Sequence, residues 1–229
     1  MARPRPPKTQ GVQEMVKREK QARSIATREK LIETTLDVIY DVGYNRASTP
    51  EFSERAGVSR GALLHHFPTR ADIIVAAMEK LLSDGTRDIR NIAGKVTQKQ
   101  LGTDEFVDFL WSMFSGRFYY LSIEFINEAR TDEELRLKMM PVVKKFHEAL
   151  NEIWAEFQTR EHPSSSHEAQ VILNLTVCLV RGMGIQTVLK NDPEYFATLL
   201  DAWKTILRQL VKKPSEVGKT PLFATQETS

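Results

Sequence analysis

Apolar residues recur at steps of three and four along most of this chain, the spacing that lines one face of an α-helix. Over 24–42 the stripe is Leu31, Ile32, Thr35, Leu36, Val38, Ile39 and Val42, and Gly43 ends it. A second stripe starts at Thr69 with Ile73, Ile74, Ala77, Met78, Leu81 and Leu82 and runs towards Lys95, weakened by Gly85 and Gly94. The polar stretch 97–103 marks a boundary. Thr103 is the expected cap of a helix carrying Phe106, Phe109, Leu110, Met113, Phe114, Phe118 and Leu121 in one run. Thr131 and Glu134 have capping-box spacing ahead of Met139, Val142, Val143, Phe146, Leu150, Ile153, Trp154 and Phe157, with Pro141 expected to bend that helix. After a loop at 161–166, segments 166–190 and 192–213 form a final helix pair, the second capped by Asp192 with Pro193 first in the helix. The fold expected from these stripes is all-α.

One stretch, 48–70, breaks the long-helix pattern: STPEFSERAGVSRGALLHHFPTR. Thr49 is a good N-cap and Pro50 suits the first helical position, where a missing N–H is not needed. Gly57 stops that helix, in a turn where glycine takes positive φ, and Ser59 caps a short second helix over 60–67. Pro68 ends it, and Thr69 with Asp72 opens the next as a capping box. Two short helices joined by a tight turn describe a helix-turn-helix, whose second helix lies in a DNA major groove. A generic αα-hairpin within a bundle is the alternative, but the second helix is short and poor in outward apolar residues.

The residues Gly57-Val58-Ser59, followed by Gly61-x-Leu63-x-x-His66-Phe67 and Arg70, resemble the DNA-binding domain of the TetR family of bacterial regulators over roughly 24–75. Leu64 stands where the family usually has tyrosine, and Pro50 where many members have a polar or basic residue. The resemblance implies a three-helix head, with the stripe of 24–42 packed on Tyr44, Phe52, Ala56, Val58, Leu63 and Phe67, and a helix from Thr69 that links the head to a body. It also implies dimerisation through the last long helices and release of a double-stranded DNA operator by a small-molecule effector. The domain layout expected is a basic flexible arm at 1–23, a helix-turn-helix domain at 24–70, a ligand-binding and dimerisation domain at 71–213, and a polar tail at 214–229. On the DNA side, Ser48, Thr49, Thr69 and Arg70 are expected on phosphates, with His66 a further backbone contact. Ser59 and His65 belong to the same face. Arg60 is the candidate for a bidentate contact to guanine, Gly61 and Ala62 permit close approach, and Leu64 can touch a thymine methyl.

The body stripes are rich in Phe, Trp and Met, a lining suited to a flat or flexible apolar molecule, although in soluble proteins such stripes are normally core. Candidate ligand residues are Phe114, Arg117, Phe118, Asn127, Phe146, Trp154, Asn174, Cys178 and Arg181, with the polar members available to orient a carboxylate or carbonyl. Arg117 intrudes on an aromatic face; the competing reading is a snorkelling side chain or a pair with Glu124. Cys178 lies in VILNLTVCLV and reads as a buried structural thiol rather than a redox sensor.

Charge adds one thing. Residues 1–70 hold 13 Lys/Arg against 8 Asp/Glu, while 71–229 hold 19 against 22, so the basic half is the half with the helix-turn-helix. Arg3, Arg5, Lys8, Lys17, Arg18, Lys20 and Arg23 form a basic arm able to track phosphates or reach a minor groove; a solvated tail without a role is the other reading. With 41% hydrophobic and 27% charged residues the chain of 229 is globular rather than disordered. No signal peptide and no apolar run of membrane length are visible, so the expectation is a cytoplasmic protein without a membrane partner. A single cysteine excludes an internal disulfide and a multi-cysteine zinc site. No Gly-x-Ser-x-Gly, phosphate-binding Gly-rich loop or His-Glu-x-x-His is present. The histidines, His65, His66, His147, His162 and His167, make no recognisable metal set, so neither enzyme, cofactor nor metal is expected. A helical small-molecule- or protein-binding module, or an activator not relieved by a ligand, stands as the alternative function.

Overall fold

The computed structural model describes residues 9–98, 100–161 and 166–212, with side chains left aside at 9–13, 96–97, 150–161, 166–170 and 210–212. Among the described residues there is no strand. The helices are α1 (Thr9–Val42), α2 (Thr49–Ala56), α3 (Arg60–His66), α4 (Arg70–Thr97), α5 (Thr103–Phe114), α6 (Arg117–Thr131), α7 (Glu133–Glu161), α8 (Ser166–Thr187) and α9 (Pro193–Lys212). The chain divides into two compact units, the first formed by Met1–Lys80 with Asn127–Met139, the second by Leu81–Ile126 with Met140–Ser229. The tail expected at 214–229 lies outside the described residues.

In the first unit the stripe of α1 becomes core where it meets the short helices. Leu31, Ile32, Leu36, Val38 and Ile39 are buried, as are Tyr44, Phe52, Ala56, Leu63 and Phe67, and α1 packs on α2. Thr35, fully buried on that stripe, donates its hydroxyl to the Leu31 carbonyl at 2.8 Å, so it needs no other polar partner. Val58, expected as a core plug, is only half-buried. The arm expected to be flexible through residue 23 is helical from Thr9, because its good helix formers continue α1 backwards.

Local capping differs from the sequence expectation by one residue at several ends. Ser48, not Thr49, caps α2, accepting the Glu51 N–H at 3.4 Å, and Thr49 is already helical. Gly57 closes α2 at φ 60°, ψ 36°, donating to Glu54, while the Val58 N–H reaches Ser53. Asp132 rather than Thr131 opens α7, accepting the Leu135 N–H at 2.9 Å, since Thr131 is spent on the Glu128 carbonyl at the end of α6. At α5 the Glu105 carboxylate reaches back to the Gly102 N–H at 2.9 Å, and Thr103 is the first helical residue instead of the cap.

The capping box at the start of α4 forms as expected. The Thr69 N–H donates to Asp72 at 3.0 Å and the Asp72 N–H to the Thr69 hydroxyl at 3.2 Å, with Lys138 3.4 Å from the same carboxylate. The Thr69 hydroxyl foremost, then its N–H and Lys138, hold the Asp72 carboxyl below the ordinary 3.8, partly opposed by burial. A depressed folded pKa stabilises above the unfolded value and loses that contribution as pH falls through the folded one. Asp72→Asn should therefore cost about 0.5–1 kcal/mol of head stability at neutral pH, and the difference should vanish as pH drops below the ordinary carboxylate value. Urea unfolding of parent and variant across that range checks it; a difference that persists in acid would mean the carboxylate is not its source.

In the second unit Phe106, Val107, Leu110, Met113 and Phe114 of α5 pack with Val180 and Met183 of α8 and Phe196, Leu200 and Leu207 of α9. Trp203 of α9 donates its indole N–H to the buried Thr176 hydroxyl at 3.1 Å. Asp192 caps α9 as expected, accepting the Tyr195 N–H at 3.0 Å. The aromatic run expected as one helix from Thr103 to Leu121 is broken at Ser115 and Gly116. Ser115 leaves helical geometry at φ −105°, ψ 3°, and its hydroxyl takes the Trp111 carbonyl at 2.7 Å.

Candidate functional site

Short as it is, α3 is held by two anchors, Leu63 fully buried and Phe67 at 3% exposure. Ser59 caps it, accepting the Ala62 N–H at 3.2 Å. The other residues of α3 face out or partly out. Arg60, Gly61, Leu64 and His65 are exposed, Ala62 and His66 half-buried. A Cβ placed on Gly61 would meet nothing within 4 Å, so the outer side of this turn is open to a close neighbour. The helix thus presents a cation, a bare backbone turn, an apolar tip and an imidazole on one surface. That is the complement of a major-groove edge: hydrogen-bond acceptors for the guanidinium, room for the backbone, a methyl for the leucine.

Of the expected phosphate contacts, Ser48 and Thr69 are exposed, and each already accepts a backbone N–H as a cap. Thr49 is half-buried in the first turn of α2. Arg70 corrects the sequence expectation. Its guanidinium turns inward, donating to the Ala47 carbonyl at 3.2 Å and the Tyr44 carbonyl at 2.7 Å, with its carbon 4.2 Å from the centre of the Tyr44 ring. The loop between α1 and α2 has carbonyls no helix satisfies, and the first residue of α4 is placed to take them. His66 is pushed to a lower pKa, first by burial and then by the electrostatic influence of His65 and Arg28, which favours its uncharged form. Arg28, which the sequence reading passed over, lies 5.3 Å over the Phe67 ring at the end of α3. It sits three residues before the core stripe begins at Leu31, and that placement is its one signal in the sequence.

Residues 31–77 match the family described as bacterial regulatory proteins, tetR family. Residues 31–77 form a TetR-family DNA-binding domain. Over 198 residues, 86% of this chain and 97% of the relative, it is 28% identical to the HTH-type transcriptional regulator CymR of Pseudomonas putida. Among solved structures, a transcriptional regulator from Rhodococcus sp. Rha1 is similar with a TM-score of 0.57 and 20% identity, covering 80% of this chain and 96% of that one. FadR from Bacillus subtilis in complex with stearoyl-CoA is similar with a TM-score of 0.51 and 18% identity, covering 80% and 96%. At these identities the structural likenesses speak for the fold. The chain is a DNA-binding transcriptional regulator that carries this domain towards its N-terminal end.

The candidate ligand residues, all but Asn127 in the second unit, separate into two groups. Phe114 and Phe146 are buried and Phe118 half-buried, and they form a chain of rings, Phe114 to Phe118 at 6.2 Å edge-on and Phe118 to Phe146 at 6.4 Å. Gly85 of α4 makes room for it: a Cβ there would lie 2.6 Å from the Phe118 ring. Of the polar candidates, Arg181 meets a ring of this cluster. Arg117 is exposed at the first position of α6, because the break at Ser115 and Gly116 resets the helical phase that placed it among the aromatics. Asn127, Asn174 and Cys178 are exposed, and Cys178 is therefore not the buried thiol expected. Arg181 is exposed too, but its guanidinium lies 5.0 Å over Phe114. The side chain of Trp154 lies outside the described residues. Missing from the sequence reading were Tyr119, which donates to the Arg181 carbonyl at 2.9 Å, and Tyr120, hydroxyl to hydroxyl with Thr187 at 2.6 Å. Their position directly after Phe118 was the available signal.

Proposed function

We propose that this TetR-family regulator is a homodimeric, cytoplasmic repressor that reads its operator with α3 and lets go when an apolar or aromatic effector occupies the ring cluster of the second unit. The observation that carries the reading is the two-anchor seating of α3, which leaves Arg60, Gly61, Leu64 and His65 outward. Arg60 bonds guanine, Leu64 meets a thymine methyl, Gly61 and Ala62 allow the approach, and Ser48, Thr49, Ser59, Thr69 and His66 border the phosphates. A second support is the face of α8 and α9 on which Leu175, Ile185 and Ile206 stand 47–52% exposed in a single copy, as an isologous helix-pair interface requires. Cys178 and Asn174 lie on α8 beside it and go with the dimer rather than with the ligand. For the effector, Phe114, Phe118 and Phe146 supply apolar contact, and Tyr119 and Arg181 supply the polar groups. FadR, of like fold, is complexed with stearoyl-CoA. No catalysis is part of the proposal.

The test is an operator selected from random duplexes by the parent chain. Arg60→Ala should weaken binding to it by about 1–3 kcal/mol and relax preference at one base step per half-site. A loss equal on every sequence would make Arg60 a phosphate clamp and remove it from base reading.

A further inference from the structure

Where its side chains are described, the N-terminal half of α1 is not buried in the head. Residues 14–26 are all exposed, Thr27 is half-buried, and the core begins only at Leu31. Most helical stability in proteins comes from packing of a face, and over 14–26 the side chains of α1 are exposed. The steps of three and four that carry Leu31, Thr35 and Val38 into the core continue backwards through Thr27 and Ser24 to Lys20 and Lys17, with Arg23 one turn from Lys20. The side of α1 that packs on the helix-turn-helix therefore becomes a basic side once it passes the end of the head. Among the described residues Lys17, Lys20 and Arg23 make no ion pair, whereas Arg18, on another side, pairs with Glu14 at 3.0 Å. The exposed apolar residues Met15, Val16 and Ile25 are scattered around the helix and form no stripe for an apolar groove or a lipid surface.

The place where this half leaves the head is also defined. Arg28 lies over Phe67, the residue that ends α3, so the projection starts at the C-terminal end of the recognition helix. Lys17 is about 16 Å further along the axis at 1.5 Å per residue. We propose that the basic side of this projection, Lys17, Lys20 and Arg23, lies along duplex phosphates flanking the half-site that α3 occupies. The proposal rests on the operator reading above and adds a contact surface to it. Arg3, Arg5 and Lys8 precede the projection in sequence and extend the same charge.

The experiment compares the full chain with the triple variant Lys17→Gln, Lys20→Gln, Arg23→Gln on two duplexes, the selected operator alone and the same operator with flanking base pairs, across a salt series. The parent should show a steeper salt dependence on the longer duplex. The triple variant should lose that excess, by about 0.9 in log–log slope for each charge removed, while binding the short duplex as the parent does. Arg18→Gln, which removes a charge from another side, should leave the excess in place. Equal behaviour of parent and triple variant on the flanked duplex overturns the proposal, as does a slope change of the same size for Arg18→Gln. A parent that binds neither duplex would instead bring down the operator reading itself.

Discussion

Gly184→Ala should destabilise the second unit by about 3 kcal/mol or more, the largest effect expected of any single methyl in this protein. Gly184 is buried in α8, and a Cβ on it would overlap the Phe114 carbonyl oxygen and stand 3.0 Å from both the Phe114 carbonyl carbon and the Tyr119 ring. The obstacle is main chain at the end of α5, so no rotamer change relieves it; the helices must separate. Separation also shifts Phe114 relative to Phe118 and takes Tyr119 off the Arg181 carbonyl, so effector response should fail together with stability. Gly94→Ala is the matched control. Nothing lies within 4 Å of its Cβ position, and helix propensity alone should make that variant about 0.5–1 kcal/mol more stable. Guanidinium unfolding of the three chains decides: a Gly184→Ala chain as stable as the parent would mean that α5 and α8 do not meet backbone to backbone.

The second large effect is Arg70→Ala, expected to cost about 2–4 kcal/mol of head stability. The change strips charge-assisted bonds from the Tyr44 and Ala47 carbonyls and a cation from the face of the Tyr44 ring. Arg70→Lys should recover little, since one ammonium cannot reproduce a fork reaching two carbonyls. Where the variant remains folded, the salt slope of DNA binding should match the parent's. A slope reduced by about 0.9 per head, with stability unchanged, would return Arg70 to the phosphates.

Arg70 and Arg117 show where legibility stopped. Both were assigned from position: Arg70 from its place after the recognition helix, Arg117 from its phase on an aromatic stripe. Position along a chain does not report what a long flexible side chain finds within reach. The Tyr44 and Ala47 carbonyls lie more than twenty residues before Arg70, and no periodicity links them. For Arg117 the phase itself was at fault, because Ser115 and Gly116 interrupt the run of apolar residues without a proline to announce it. Of the polar ligand candidates, Arg181 lies over the Phe114 ring, while Arg117, Asn127, Asn174 and Cys178 are exposed.

What the sequence determined by itself was carried by local rules, with some caps displaced by a residue. The helix-turn-helix, its Gly57 turn, the Ser59, Thr69–Asp72 and Asp192 caps and the α1 core stripe follow from φ restrictions, short-range hydrogen bonds and a 3.6-residue period, all of which act within a few residues. Tertiary structure decided which carbonyls the Arg70 guanidinium meets. It also decided which aromatics touch, and that the first helix outruns its own core as a basic projection. Those depend on distances between residues far apart in the chain, where packing, not spacing, chooses the partner.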